Sequence, residues 1–206
     1  MPHYFEPGAP VRPDELREFE VDLAGTPARV VTAPGVFSAT RLDPGTSVLL
    51  RTERRAGGPV PPAGHLLDLG CGWGPIALTL ARLAPEATVW AVDANPRALE
   101  LTALNARRLG LDNIQTALPD AVPPAIALAL LWSNPPIRVG KHRLRSLLRE
   151  WLERLAPGAH ADLVAQKNLG ADSLARWLGD QPGWAAAKLA SAKGYRVIRV
   201  ERASAT

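Results

Sequence analysis

The chain is poor in the residues that staple a fold together or build a metal centre. It has one cysteine, Cys71, in 206 residues, which excludes an internal disulfide framework and a thiolate zinc cluster. Its four histidines are scattered at His3, His65, His142 and His160 without metal-ligand spacing, so no metal is expected. No apolar run approaches the ~20 residues of a membrane helix, and no membrane association is expected. The opening MPHYFEPGAP lacks the apolar centre of a signal peptide, so the expected location is the cytoplasm. Charge of one sign is only mildly in excess, with a net +4 and an isoelectric point near 9.7. That balance suits a polyanionic partner and equally suits a solvated arginine-rich surface. The length leaves room for one well-buried domain with a small appendage.

What is present divides by pattern. Residues 1–17 are proline-rich and read as an arm. EFEVDL (18–23) and ARVVT (28–32) alternate around Gly25 and Pro27, which predicts a hairpin. RAGGPVPPAG (55–64) is a Pro/Gly linker. It divides a front piece, 1–60, made of arm, hairpin and lead-in, from a main domain, 61–206. In that domain the signals alternate: strand HLLDL, helix from Pro75 to Leu83, strand TVWAV, helix from Pro96 to Leu109, and short strand NIQTA. Strand IALALLW, a helix from about Gly140 to Leu155, strand HADLVA and a helix from Ala171 to Leu178 follow. Strands near WAAAKLAS and YRVIRVE end the chain. Strands alternating with helices of this length predict an α/β fold with a mostly parallel sheet covered on both faces.

The stretch LLDLGCGWGPIALTLA (66–81) carries the first chemistry. A buried strand ends at Leu69, Gly70, Gly72 and Gly74 make a tight turn, and Pro75 opens a helix, where proline is tolerated. Such glycines let a backbone approach a ligand, and the helix N-terminus behind them offers free N–H groups. Glycines also occur in strand–helix turns for steric reasons alone. Two acids strengthen the ligand reading. Asp68 lies inside the strand end, where a carboxylate without partners is costly. Asp93 closes the next strand, AVDANP, at the position from which an acid accepts ribose hydroxyls in a doubly wound sheet. Alternatively, Asp93 or Asn95 caps the helix starting at Pro96, and the two roles can coexist. A nicotinamide dinucleotide is disfavoured because the sixth position of its glycine fingerprint is Pro75. Cys71 reads as a small buried side chain rather than a nucleophile. Trp73 borders this turn and is a candidate for lining it, whereas Trp151 and Trp177 suit packing.

WSNPPIRVGK (132–141) poses a different question. A double proline stops a buried strand, because proline removes a backbone donor and fixes φ. Asn134, Pro135 and Pro136 are therefore a strand terminator or a rigid functional loop. Ile137 follows them, and then a basic run of Arg138, Lys141, His142, Arg143 and Arg145. Those cations suit phosphate contacts, or they are the solvated start of a helix. Lys167, after the HADLVA strand, sits toward the strand C-terminal edge where ligands bind in such sheets.

DLGCGWG, VDANPRALELTALNARRLGL and SNPP, in this order, resemble the class I S-adenosylmethionine-dependent methyltransferases over residues 65–200. FSATRLDPGTSVLL (37–50), QKNLGADSLARWL and SAKGYRVIRVER are similar to the methyltransferase-small family within them. That family includes guanine-N2 methyltransferases of small-subunit ribosomal RNA.

The resemblance implies a Rossmann-like, seven-stranded sheet whose last strand is inserted antiparallel. It implies S-adenosylmethionine as cofactor and S-adenosylhomocysteine as product. Asp68, Gly70, Cys71, Gly72 and Gly74 would cradle the methionine part, Asp93 the ribose, and Ala94 the adenine. Asp120 would meet the adenine amino group, or is an exposed turn acid. Asn134, which also adjoins the cofactor, and Pro135 would each offer a carbonyl to the N–H groups of an amine conjugated to a π-system. Such bonds stabilise charge growing on the nitrogen, with Pro136 holding the loop. Ile137 stands where many members carry Tyr or Phe, so stacking on the base is lost. With Arg138, Lys141 and Lys167 it would face the substrate. Expected partners are ribosomal RNA or a small-subunit particle, and the expected state is a monomer. The alternatives are a protein-amide or DNA-adenine methyltransferase, or an RNA-binding module without turnover.

Overall fold

The computed structural model describes residues 10–204 apart from positions 24, 57 and 59. Among the described residues the first element of the front piece is a 3-10 turn at Pro13–Glu15. Strands β1 (Arg17–Leu23) and β2 (Thr26–Thr32) then pair antiparallel as the expected hairpin. A helix that the sequence reading did not place follows, α1 (Pro44–Ala56). Its Asp-Pro-Gly start looks like a turn, but aspartate followed by proline is also a helix start. The Asp43 carboxylate accepts the Thr46 N–H at 3.0 Å and its carbonyl accepts the Ser47 N–H at 2.8 Å, the two bonds of an N-cap.

The main body alternates as expected: β3 (His65–Leu69), α2 (Pro75–Leu83), β4 (Thr88–Val92), α3 (Pro96–Arg108) and β5 (Ile114–Ala117). After β6 (Leu128–Ser133) come α4 (Lys141–Leu152), β7 (Leu155–Gln166), α5 (Ala171–Gly179), β8 (Trp184–Ala192) and β9 (Tyr195–Arg202). Helix α4 ends three residues earlier than expected and β7 starts earlier. The Leu128 N–H pairs with the Arg154 carbonyl, which draws that segment into the sheet. The seven strands lie in the order β5-β4-β3-β6-β7-β9-β8. The first five are parallel, and β9 is inserted antiparallel between β7 and β8.

Alternation within each strand sorts the core into two faces. Leu66 packs with Val48 and Leu49 of α1 and Ile76, Leu80 and Ala81 of α2. Its neighbour Leu67 packs on the opposite side with Leu144, Leu148 and Trp151 of α4 and Leu174 and Leu178 of α5. Burial on both faces is why HLLDL is apolar apart from one acid. Each fully buried leucine of this kind contributes roughly 1.5–3 kcal/mol.

A third cluster joins the hairpin to the body through Leu23, Val30, Trp73, Leu78 and Leu101. Asn105 of α3 closes the join. Its Oδ1 accepts the Val31 N–H at 2.7 Å, and its Nδ2 donates to the carbonyls of Val31 and Trp73. The strand order reverses at β3, with β4 on one side and β6 on the other. That places the loops after β3 and β6 side by side at the strand C-terminal edge, where ligands bind in open α/β sheets.

Candidate active site

The glycine turn is held by backbone and carboxylate together. The N–H groups of Gly70 and Cys71 both donate to the Val92 carbonyl, at 2.8 and 3.0 Å. Asp93 accepts the Gly72 N–H at 3.0 Å with Oδ2 and the Asn95 N–H at 2.9 Å with Oδ1. Asn95 is the N-cap of α3, its side chain accepting the Arg97 N–H, so capping and loop-holding coexist. Burial pushes the Asp93 carboxyl above its ordinary range, against three backbone N–H groups that pull it down.

Two glycines are required by their backbones. Gly74 has φ 97°, and a Cβ there would lie 2.9 Å from Thr102 Cγ2. Gly70 has φ 82°, and a Cβ would meet nothing, so its outer side is open.

Asp68 sits behind the turn rather than on its surface. It is fully buried, and its Oδ2 accepts the Ala77 N–H at 2.9 Å, tying β3 to the first turn of α2. Its Oδ1 has no partner among the described residues. Desolvation raises its pKa well above the ordinary carboxylate value, and the Asp93 charge adds to this. An orphaned carboxylate oxygen beside an open glycine turn fits the cationic end of an amino-acid moiety. Cys71 is buried, and burial and the two carboxylates push its thiol up, which suits packing and not nucleophilic attack. Trp73 does border the cleft beside this turn, as expected. It is 1% exposed, and its ring meets Phe19 edge-on at 5.3 Å, so it anchors the hairpin.

Across from the turn, the Ser133 hydroxyl donates to the Leu69 carbonyl at 2.6 Å and fastens the end of β6 to β3. Asn134 is the next residue. Its Nδ2 donates to Asp43 Oδ2 at 2.8 Å and to Thr46 Oγ1 at 3.1 Å, both from the start of α1. The Pro135 carbonyl already accepts the Ile137 N–H at 2.8 Å, so only its second lone pair remains for a ligand. A small cleft brings Gly70, Cys71, Gly72 and Asn134 together with Asp43, Thr46, Phe37 and Ser38. Ser38 has φ 53°, and its hydroxyl donates to the Arg41 carbonyl at 2.7 Å, closing the loop over this cleft.

The remaining candidates lie around this cleft rather than in its lining. Ala94 and Asp120 are exposed past the ends of β4 and β5, with Asp120 in the 3-10 turn Pro119–Ala121. Lys167 is exposed after β7. Ile137 is half-buried and packs against the core under α4. Lys141, His142 and Arg143 are exposed at the start of α4. Arg145 turns away and lies 5.2 Å over the Trp177 ring. The Arg138 side chain lies outside the described residues.

A roomier depression of about 400 Å³ lies between Gly158, Trp184 and Arg202. It opens where β7 and β8 begin, at the sheet edge opposite the motifs, and it gathers none of them. The site residues that sequence reasoning missed are Asp43 and Thr46. Their signal was the Asp-Pro helix start, with no local hint of a partner at Asn134.

A family model for the methyltransferase small domain matches residues 27–199. The chain belongs to this family. It is 33% identical over 191 residues to ribosomal RNA small subunit methyltransferase C of Pseudomonas fluorescens, covering 90% of this chain and 54% of that protein. It is 32% identical over 171 residues to the uncharacterized protein YbxB of Bacillus subtilis, covering 82% of this chain and 83% of the other. Among solved structures it superposes on a 16S rRNA N2 methyltransferase of Thermus thermophilus in complex with AdoMet and guanosine. That match has a TM-score of 0.80 and 27% identity, and covers 96% of this chain and 53% of the other. The chain thus spans about half the length of two of these three relatives. Among the described residues no helix is long and apolar enough to cross a membrane.

Proposed function

We propose that this chain transfers a methyl group from S-adenosylmethionine to an exocyclic amine, guanine N2 of small-subunit ribosomal RNA, working as a monomer in the cytoplasm. One observation carries the reading. Both N–H bonds of the Asn134 amide are taken by Asp43 and Thr46, which leaves its carbonyl oxygen as the polar end available in the cleft that holds the glycine turn. An amine conjugated to a ring is a poor nucleophile because its lone pair is delocalised. An acceptor aligned with one of its N–H groups localises that pair and stabilises positive charge as it grows, so the bond strengthens in the transition state.

Each residue then has a part. The turn Gly70–Gly74 offers backbone to the cofactor, Asp68 its orphaned oxygen to the amino group, and Asp93 its remaining lone pairs to the ribose. Ala94 and Asp120 border the adenine from the same sheet edge. When bound, S-adenosylmethionine would supply an electrophilic methyl on sulfonium for the nitrogen to take, with S-adenosylhomocysteine as the leaving product. The nitrogen then sheds a proton to solvent, so no general base is needed beforehand. Pro135 and Pro136 hold the loop rigid, and the exposed Lys141 and Lys167 face the RNA. The RNA substrate is supported by the names of the relatives and by the exposed cations at the start of α4.

Asn134→Ala tests the reading. Its turnover should fall by a factor on the order of a hundred or more, in line with losing one oriented acceptor, while S-adenosylmethionine affinity stays. The assay is transfer of labelled methyl into small ribosomal subunits from cells lacking the gene, with nucleoside mass spectrometry of the product. Unaffected turnover, or label found only in protein or DNA, overturns it.

A further inference from the structure

We propose that Asp43 is a positioning residue that fixes which end of the Asn134 amide meets the substrate. The inference rests on the amine-methylation reading and adds a residue to it. A carboxamide has two ends of nearly one shape and opposite chemistry, an accepting oxygen and a donating NH2. Only the oxygen can stabilise a nitrogen that is becoming positive. A half-turn about the side chain's last bond would present N–H groups to the incoming amine and oppose the reaction. Nothing within Ser-Asn-Pro-Pro chooses between these orientations.

Asp43 chooses. Its Oδ2 lies 2.8 Å from Asn134 Nδ2, and an ionised carboxylate oxygen only accepts. A flipped amide would set oxygen against oxygen and leave two acceptors facing each other. The carboxylate cannot swing away to relieve this. The same Oδ2 accepts the Thr46 N–H at 3.0 Å, and the Asp43 carbonyl accepts the Ser47 N–H, so Asp43 is fastened as the cap of α1. That helix is in turn held by Val48 and Leu49 in the core.

Gly45 keeps the space open. A Cβ at that position would stand 2.9 Å from both Asp43 Oδ2 and the ring of Tyr195. The orientation of the reacting group is thus set by a residue 91 positions earlier in the chain.

Aspartate, asparagine and serine all cap helices well, which separates capping from positioning. Asp43→Ser keeps a cap but cannot reach Asn134. Asp43→Asn can place its carbonyl oxygen where Thr46 N–H and Asn134 Nδ2 both donate. With labelled S-adenosylmethionine and small ribosomal subunits from cells lacking the gene, Asp43→Ser should lose tenfold or more in kcat with cofactor affinity kept. Asp43→Asn should lose far less.

Asn134→Asp sets two carboxylates face to face and should be strongly impaired. A readout independent of turnover is the Asn134 side-chain NH2 signal in 1H–15N spectra. It should exchange slowly in the wild type and in Asp43→Asn, and fast in Asp43→Ser. The proposal is overturned if Asp43→Ser and Asp43→Asn behave alike in both readouts. If Asn134→Ala is inactive while Asp43→Ser is fully active, positioning alone is refuted. If Asn134→Ala is fully active, the amine-methylation reading itself falls.

Discussion

The two walls of the cleft are built by different means. On the glycine-turn wall, the polar groups that shape the surface find partners within about one βαβ unit, apart from the orphaned Asp68 Oδ1. Asp68 reaches Ala77, Asp93 reaches Gly72 and Asn95, and the Gly70 and Cys71 N–H groups reach Val92. On the opposite wall, Asn134 depends on Asp43 and Thr46 from the front piece. A wall whose backbone is held by carboxylates and tight turns suits affinity, because it is complete before a ligand arrives. A wall that consists of one oriented amide suits discrimination between ground state and transition state. Damage to the first wall should therefore appear in cofactor binding and stability, and damage to the second in turnover.

The largest effect should come from Asp93. Asp93→Ala removes the oxygens that hold the Gly72 and Asn95 N–H groups and, on the proposed reading, the acceptors of the ribose. Losing two charge-assisted bonds costs about 3 kcal/mol or more, so S-adenosylmethionine affinity should fall more than about a hundredfold by calorimetry. Because two buried N–H groups lose their partner, the denaturation midpoint should fall as well. Unchanged affinity would detach the ribose from this acid and make the two walls functionally alike.

Gly74 gives a smaller effect on the same wall. In Gly74→Ala the new methyl would meet Thr102 Cγ2 at 2.9 Å and Oγ1 at 3.0 Å, at φ 97°. Left-handed strain of about 1–2 kcal/mol adds to overpacking of about 1–3 kcal/mol. A loss of roughly 2–5 kcal/mol in chemical denaturation is expected by summing them. Pairing it with Thr102→Ala should return the packing part and leave the dihedral part. Full recovery would mean the backbone at 74 carries no strain.

The same contrast explains what could be read from the sequence. The strands and helices of the main body follow from hydrophobic runs of the right length between Gly and Pro breaks. The glycine turn is legible because its partners lie within about one βαβ unit. Helix α1 was hidden by its own start, since Asp43-Pro44-Gly45 has the composition of a turn. The bond from Asp43 to Asn134 joins elements whose adjacency exists only after the sheet has placed β6 beside β3. Trp73 shows the same limit. Its place in the chain suggests a cleft residue, which it is, but its second role as anchor of the hairpin, through Phe19 and the Asn105 clasp over its carbonyl, has no local signal. Pairing between distant segments leaves no local period to detect.

The last effect expected is a pH dependence seated in the helix that carries Asp43. Glu53 of α1 is buried, and its Oε2 accepts from Arg199 Nη2 at 3.2 Å, while Oε1 has no partner among the described residues. Arg199 is engaged more fully by Asp162, at 2.8 and 2.9 Å. Asp162 also receives the Trp132 N–H and pairs with His160. One guanidinium thus faces two carboxyls, and Asp162 is held below its ordinary range against its burial by the His160 bond first and by Arg199. Burial first, and then the Asp162 charge, push Glu53 from 4.5 up to about 8, with Arg199 opposing.

A carboxyl whose folded pKa is raised favours the folded state most when it is protonated in both states, below about 4.5. That contribution shrinks as pH rises and is gone once the folded group ionises near 8. Asp162, shifted the other way, loses its contribution only in stronger acid. Glu53→Gln keeps the shape and removes the titration. Wild-type stability should therefore decline relative to Glu53→Gln between about pH 5 and 8, measured as the difference of urea midpoints, which cancels groups titrating in both proteins. Since α1 positions Asp43, a wild type loosened at high pH should also lose kcat before cofactor affinity. Parallel stability curves across that window would show that Glu53 stays ionised beside Arg199, and that the anchor of the Asn134 wall is an ion pair rather than a neutral acid.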